Sequence, residues 1–288
     1  MTDRASGEEA ASARERGSDR RRVVLVTGST DGLGKATALA LARAGMQVIV
    51  HGRNRPRVDA AVAELNAAAP GAEIEGVSFD LGTLGAVRTG AKAVIAKAPA
   101  LDVLINNAGI FAGERVVNED GIEMTFAVNH VGPFLLTEML VPALKAAGGG
   151  AKIINVSSIA HGRGKIDLED LGMAKSWSGY ASYAASKLAQ VMHALSLADR
   201  HAPAEIAAYS IHPGVVMTKL LRQGFGPVRG ATVDVGAQTA IDVATGKLSG
   251  PSGAYFSEGV ETPPADAALD RAARDALWQK CAAITGAG

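Results

Sequence analysis

The stretch Val23-Val24-Leu25-Val26-Thr27-Gly28-Ser29-Thr30-Asp31-Gly32-Leu33-Gly34-Lys35-Ala36 decides the fold. Its first five residues are a short β-branched run and read as a buried strand. Gly34–Arg43, rich in Ala and Leu, is built from strong helix formers. A strand, a glycine-rich turn and a helix start together make a phosphate site. The free N–H groups of the first helical turn point outward, and the helix dipole favours negative charge there. Glycine is required where a Cβ would block the backbone from a pyrophosphate or clash in the turn. The spacing Gly28, Gly32, Gly34 departs from G-x-G-x-x-G, and Gly34-Lys35-Ala36 lacks the Gly-Lys-Ser/Thr end of a P-loop.

Outward from this unit, strand and helix signals alternate. Strands are expected over Gln47–His51, Ile74–Phe79, Leu101–Asn106, Lys152–Ser157, Ile206–His212 and Ala254–Phe256. Helices are expected over Val58–Ala68, Val87–Lys97, Phe126–Ala146 (with Pro142 as a local perturbation), Tyr180–Arg200, Val233–Ala244 and Ala267–Ile284. Such alternation implies right-handed βαβ crossovers and a mainly parallel sheet of seven strands, helices on both faces. No composition break divides it, so residues 23–288 read as one domain after a charged, disordered tail over residues 1–22 that ends in Arg20-Arg21-Arg22. Residues 220–232 and 257–265 fit neither period and are expected as irregular segments that shape a pocket.

The chain has 288 residues, 48% hydrophobic and 20% charged, enough for a substantial core, and only 4% aromatic, so Ala, Val, Leu and Ile must fill it. Lys+Arg and Asp+Glu balance at 29 each, which gives no electrostatic reason for nucleic acid or an anionic membrane as partner. The single cysteine, Cys281, excludes an internal disulfide framework and fits a reducing cytoplasm, with a packing role in a late helix. No apolar stretch of membrane-spanning length runs uninterrupted by Gly or charge, and no apolar leader is visible. The histidines His51, His130, His161, His193, His201 and His212 show no H-x-x-x-H or H-E-x-x-H spacing, so no metal site is expected.

A second constellation carries the chemistry. Tyr183 and Lys187 stand one helical turn apart and share a face, whereas Tyr180 has Ala184 at that spacing. A free tyrosine titrates near 10, and a neighbouring cation favours its phenolate. Ser157-Ser158 ends a strand upstream. Thr27-Gly28-x-x-x-Gly32-x-Gly34, Asn106-Asn107-Ala108-Gly109, Asn129, Ser157-Ser158, Tyr183-x-x-x-Lys187 and Pro213-Gly214, in this order, resemble the short-chain dehydrogenase/reductase family from about Val23 onward. Val128-Asn129-His130-Val131-Gly132-Pro133-Phe134, the long gap between Ser158 and Tyr183, Ser186-Lys187-Leu188-Ala189 and Leu277-Trp278 are similar to its retinol-dehydrogenase-like and WW-domain-oxidoreductase-like branch.

The resemblance implies a Rossmann-type doubly wound fold and an oxidoreductase that interconverts an alcohol and a carbonyl by hydride transfer. It assigns general acid/base work to Tyr183, a hydroxyl contact to Ser158 (Ser157 competing), and a structural and water-holding role to Asn129, for which a backbone-bracing amide is the alternative. Lys187 would lower the phenol pKa and hold the nicotinamide ribose. The cofactor would further touch Gly28, Ser29, Thr30, Asp31, Gly32, Leu33 and Gly34. Asp80, Leu81, Asn107, Ala108, Gly109, Pro213, Gly214, Val216 and Thr218 complete the implied set. In Val50-His51-Gly52-Arg53-Asn54 the acidic residue expected of an NAD enzyme is missing; Gly52 leaves room and Arg53 offers a guanidinium for a 2′-phosphate, with Arg55 and Lys35 assisting, so NADP(H) is expected. The substrate would be a small alcohol or carbonyl, apolar by the character of Met173, Trp177, Leu220, Leu221, Phe225 and Val228, which core packing explains equally well. His161 could line its cleft. The resemblance also implies pairing of copies through long helices. The competing reading is a catalytically silent NADP(H)-binding sensor or scaffold of the same fold; retention of Tyr183 and Lys187 weighs against it.

Overall fold

The computed structural model describes residues 20–226 and 229–287, apart from the side chain of Phe225. Most of the expected tail, residues 1–19, and the pocket candidate Val228 lie outside the described residues, as does the Phe225 side chain. Of the three arginines, Arg20 pairs with Asp102 at 2.8 Å and Arg21 with Glu73 at 3.0 Å, so both are spent on the protein's own carboxylates.

Eight strands form one sheet in the order β3-β2-β1-β4-β5-β6-β7-β8. They are β1 Val23–Val26, β2 Gln47–Gly52, β3 Ile74–Ser78, β4 Val103–Asn106, β5 Ala151–Val156, β6 Ile206–His212, β7 Tyr255–Ser257 and β8 Val260–Glu261. All neighbours pair in parallel except β7 and β8, where Phe256 faces Glu261. The sequence implied seven strands; the eighth is a two-residue antiparallel return after Gly259 at φ +82°, too short to carry a period. Leu25 of β1 lies between Ile49 of β2 and Leu104 of β4, which fixes the register at the point where strand order reverses. In sheets of this kind the crevice beyond the strand ends at that reversal binds the ligand.

Side-chain alternation along β1 separates the two helical layers. Val24 and Val26 pack with Ala38 and Leu41 of α1 (Gly32–Arg43) and with Ala240 and Val243 of the helix Val233–Thr245. Val23 and Leu25 face the other way, onto Val87, Ala91 and Val94 of the helix Leu84–Lys97 and Leu135, Leu136 and Leu140 of the helix Gly132–Lys145. Both faces of the sheet are therefore covered, which is why the central strands β1 and β4 are buried along their whole length.

The long helix expected over Phe126–Ala146 is not uniform. A short turn Met124–Phe126 leads into a π-turn, Ala127–Val131, before the helix Gly132–Lys145 begins; Pro142 sits inside the last. The perturbation thus falls around Asn129 and not only at Pro142. Gly132 lets this helix lie against the chain, since a Cβ there would come within 2.1 Å of the Leu81 carbonyl oxygen. By length and composition alone Met124–Lys145 could cross a bilayer, but 72% of its most apolar window is buried within the fold, as a core helix requires. One helix went unpredicted: Lys219–Phe225, capped by Thr218 Oγ1 on Leu221 N at 3.2 Å. Gly224 and Gly226 mask it in the sequence.

Candidate active site

The glycine turn leaves β1 at Thr27 and enters α1 at Gly32. Gly28 and Gly32 have φ of +64° and +54°, conformations that favour glycine. A Cβ on Gly34 would lie 2.4 Å from both Asn107 Nδ2 and the Gly28 carbonyl oxygen, so this position admits no side chain. Asn107 spends its amide here, donating from Nδ2 to Thr27 O at 2.7 Å and to Gly28 O at 3.2 Å. Thr27 Oγ1 in turn accepts from Asn107 N and Ala108 N, each at 3.0 Å. Asn107 therefore braces the turn.

The turn has a second brace that sequence patterns did not reveal. His51, at the end of β2, accepts the Gly28 N–H at Nδ1, 3.1 Å, which places its proton on Nε2, directed at Phe79 O at 3.1 Å. Burial pushes its pKa down to about 4, so the ring is neutral and this tautomer is fixed. Ser29 completes the link, its hydroxyl donating to Val26 O at 2.7 Å and accepting from His51 N at 3.0 Å.

The dinucleotide implied by the turn can be tested against the donors present. Asp31 caps α1, accepting Gly32 N at 2.8 Å, and Lys35 N bonds Asp31 O at 3.3 Å. The N–H groups of Leu33 and Gly34 have no acceptor among the described residues. Next to Gly32 the nearest atom to an added Cβ is Thr218 Cγ2, at 3.9 Å, so the backbone there is open to a ligand. Two unspent N–H groups at a helix start, with no side chain in the way, fit a pyrophosphate. Pro213, Gly214, Val216 and Thr218 lie in the segment after β6; of these Thr218 reaches the turn beside Gly32, Val216 packs with Leu33 about Gly236, and Gly214 lies against Glu258, while Lys219 pairs with Asp31. Asp80 and Leu81 follow β3, where Asp80 Oδ1 accepts Gly82 N at 2.8 Å and Leu81 is buried.

At the end of β2, Arg53 is exposed and forms no ion pair among the described residues. Its expected helpers are committed elsewhere: Lys35 pairs with Glu64, and Arg55 with Asp59 at 2.8 Å. The room expected at Gly52 is taken by Thr30, whose Cγ2 would lie 2.6 Å from an added Cβ.

Tyr183 and Lys187 lie on the helix α5, Gly179–Arg200, capped by Ser178 on Ala181 N at 3.1 Å. Both are buried. Lys187 Nζ is 5.4 Å from the centre of the Tyr183 ring and donates to Val156 O and to Gln190 Oε1, each at 2.9 Å. Burial pushes the phenol up to about 12, opposed by a hydrogen bond with Ser158. Burial pushes Lys187 down to about 7. Burial raises the phenol and the bond with Ser158 is what lowers it, so the expected lowering by Lys187, itself pushed toward neutrality, does not appear.

The two serines separate. Ser157 is buried and its hydroxyl donates to Lys187 O at 2.8 Å, tying strand β5 to α5. Ser158 is the one bonded to Tyr183. Its own carbonyl accepts from His161 Nδ1 at 2.8 Å, while His161 Nε2 accepts Ala265 N at 3.1 Å. His161 is thus buried beside the serine, with both ring nitrogens bonded to the backbone. Asn129 braces the loop after β4: Oδ1 accepts Ile110 N at 2.8 Å, and Nδ2 donates to Ile110 O and Ser186 Oγ, each at 3.0 Å. Its main-chain carbonyl accepts Gln190 Nε2 at 2.9 Å.

Around Tyr183, Leu220 and Phe111 pack against a small cluster with Ala160 and Ala184, the ring of Phe111 5.6 Å from that of Tyr183. Phe111 fits between Gly179 and Gly224, where added Cβ atoms would meet its ring at 2.7 and 2.6 Å. Trp177 is pinned by Nε1 to the buried Glu123 at 3.2 Å, and Met173 packs on the core around Phe126; neither joins the Tyr183 cluster. Cys281 is buried against His130, its thiol pushed up to about 12 by burial. Among the described residues no three His, Cys, Asp or Glu side chains are grouped to hold a metal.

The family model described as short chain dehydrogenase matches residues 22–225. Retinol dehydrogenase 13 of Homo sapiens is 34% identical over 281 residues, covering 92% of this chain and 85% of its own. Polyprenol dehydrogenase of Mus musculus is 36% identical over 284 residues, covering 93% and 84%. The crystal structure of an uncharacterized protein from Mycobacterium paratuberculosis, 30% identical, superposes with a TM-score of 0.77 over 94% of this chain and 97% of that one. With a nucleotide cradle at the strand-order reversal and a tyrosine, lysine and serine gathered beside it, these matches show that the chain belongs to the short-chain dehydrogenase/reductase family of oxidoreductases, among its retinol-dehydrogenase-like members.

Proposed function

We propose that the protein is an NADP(H)-dependent oxidoreductase that interconverts an apolar alcohol and its carbonyl compound, with Tyr183 as general acid/base. The observation that carries this reading is the buried Tyr183 phenol, hydrogen-bonded to Ser158 just past the C-terminal end of β5 and one turn from Lys187, at the same end of the parallel strands as the glycine turn after β1. A phenol pushed up to about 12 is protonated at neutral pH. That is the form needed to give a proton to a carbonyl oxygen, while alcohol oxidation needs the phenolate, which a neighbouring cation favours. When bound, the reduced nicotinamide supplies the hydride to the carbonyl carbon. Ser158 holds the carbonyl oxygen by its hydroxyl, and Tyr183 delivers the proton to that oxygen. Lys187 grips the ribose and compensates negative charge left on the phenol. Leu33 and Gly34 N–H groups and the α1 dipole hold the pyrophosphate, and Arg53 takes the 2′-phosphate.

Phe111 and Leu220 beside Tyr183 support an apolar substrate, as do the dehydrogenases of retinol and polyprenol among the relatives. The test is NADPH consumption across a panel of apolar aldehydes and ketones. Turnover that vanishes in Tyr183→Phe supports the reading. NADPH binding with no oxidation by any carbonyl would favour a silent binding protein.

A further inference from the structure

Lys187 offers three N–H donors, of which one goes to Val156 O at the end of β5 and one to Gln190 Oε1. The other end of the Gln190 amide, Nε2, donates to Asn129 O at 2.9 Å. The orientation of this amide is fixed by its partners, because an ammonium can only donate and a main-chain carbonyl can only accept. The Asn129 carbonyl is available for a chemical reason in the sequence. Its helical acceptor role would be filled by the N–H four residues on, and that residue is Pro133, which has none. The resulting π-turn, Ala127–Val131, turns to face α5. Gln190 itself is buried.

Only a carboxamide satisfies both neighbours. A carboxylate would set an oxygen against the Asn129 oxygen, and an apolar side chain would leave an ammonium and a carbonyl short of a partner in a buried place. The groups around Lys187 are Tyr183 one turn back, Val156 O, Gln190, and Gly109 and Asn129 across the cleft, where a Cβ on Gly109 would lie 3.5 Å from Nζ. Of these only Tyr183 titrates. The link between lysine and Asn129 is thus a neutral amide, which holds position without passing a proton along.

We propose that Gln190 is a positioning residue of the Tyr183–Lys187 pair: its amide locks the ammonium over the tyrosine ring and couples it to the π-turn that carries Asn129. This rests on the proposed function for its catalytic consequence, but its geometry stands without turnover. The substitution that tests it is Gln190→Met, close in volume and unable to make either bond. Isotope-labelled lysine in the full chain, with Lys187 assigned by loss of its signal in Lys187→Ala, gives the ammonium's titration midpoint by NMR. Removing an acceptor from the charged form lowers that midpoint, by about one pH unit for one charge-assisted hydrogen bond. On the same variant kcat with NADPH falls about tenfold, while the NADPH dissociation constant from fluorescence titration moves less than about threefold.

A folded Gln190→Met protein with the parental Lys187 midpoint overturns the proposal. Should that variant fail to fold, Gln190→Asn decides: it is one methylene too short to make both bonds, and an unchanged midpoint there overturns it equally. An inactive parent would sink the proposed function and leave the lysine titration standing.

Discussion

The N–H of Gly28 is held by the Nδ1 of His51 at 3.1 Å, so the first turn of the nucleotide cradle hangs on a neutral imidazole. Burial keeps that ring's pKa at about 4, below its usual value. Between these two values the unfolded chain takes a proton that the folded one refuses. The stability from this group is complete above about pH 6.5 and is lost as pH falls toward 4, roughly 2 kcal/mol of it by pH 5. Denaturant melts at pH 7 and pH 5 should show the parent losing about 2 kcal/mol more than His51→Gln. Parallel losses in the two proteins would contradict the assignment.

Gly34 and Asn107 are in such close approach that a methyl group cannot enter. Gly34→Ala places a Cβ 2.4 Å from Asn107 Nδ2 and from Gly28 O, so the turn must open. Overpacking of this kind costs about 1–3 kcal/mol. The expected outcome is a lower melting temperature together with NADPH binding weakened at least about tenfold. A variant that binds NADPH as the parent does would show that the turn is not the cradle.

The proposed preference for NADP(H) rests on Arg53. It is exposed and forms no ion pair among the described residues, while Lys35 and Arg55 are held by Glu64 and Asp59. Arg53→Ala is expected to raise KM for NADPH by about 10- to 100-fold, the size of a charge-assisted contact, and to leave KM for NADH nearly unchanged. Equal effects on both cofactors, or a parental preference for NADH, would refute the assignment.

The two adjacent serines give a paired experiment. Ser158 bonds the phenol, whereas Ser157 donates to the Lys187 carbonyl within the core. Ser158→Ala should lower kcat by about 10²-fold with little change in melting. Ser157→Ala should cost about 1 kcal/mol of stability, as the loss of one buried hydrogen bond does, with a far smaller loss of turnover. The reverse pattern would exchange their roles.

Local spacing was enough to find the glycine turn, the Tyr183–Lys187 pair and the strand–helix alternation, because each is written in neighbouring residues. The braces were not legible. His51 reaches Gly28 from 23 residues away, Gln190 reaches Asn129 O from 61, and His161 reaches Ala265 from 104. Such side-chain-to-backbone bonds leave no period in the sequence. The helix Lys219–Phe225 was hidden by its glycines, yet Gly224 is the residue that admits Phe111 beside it. The π-turn lies just before Pro133, whose missing N–H frees the Asn129 carbonyl, and Pro142 sits inside the helix that follows.

The central claim is that the Tyr183 phenol moves the proton. The most direct measurement is single-turnover oxidation of bound NADPH by a carbonyl substrate in Tyr183→Phe, alongside fluorescence titration of NADPH. The account predicts a rate lower by about 10²–10⁴-fold with the NADPH dissociation constant nearly unchanged. A variant that oxidises NADPH at the parental rate would contradict it.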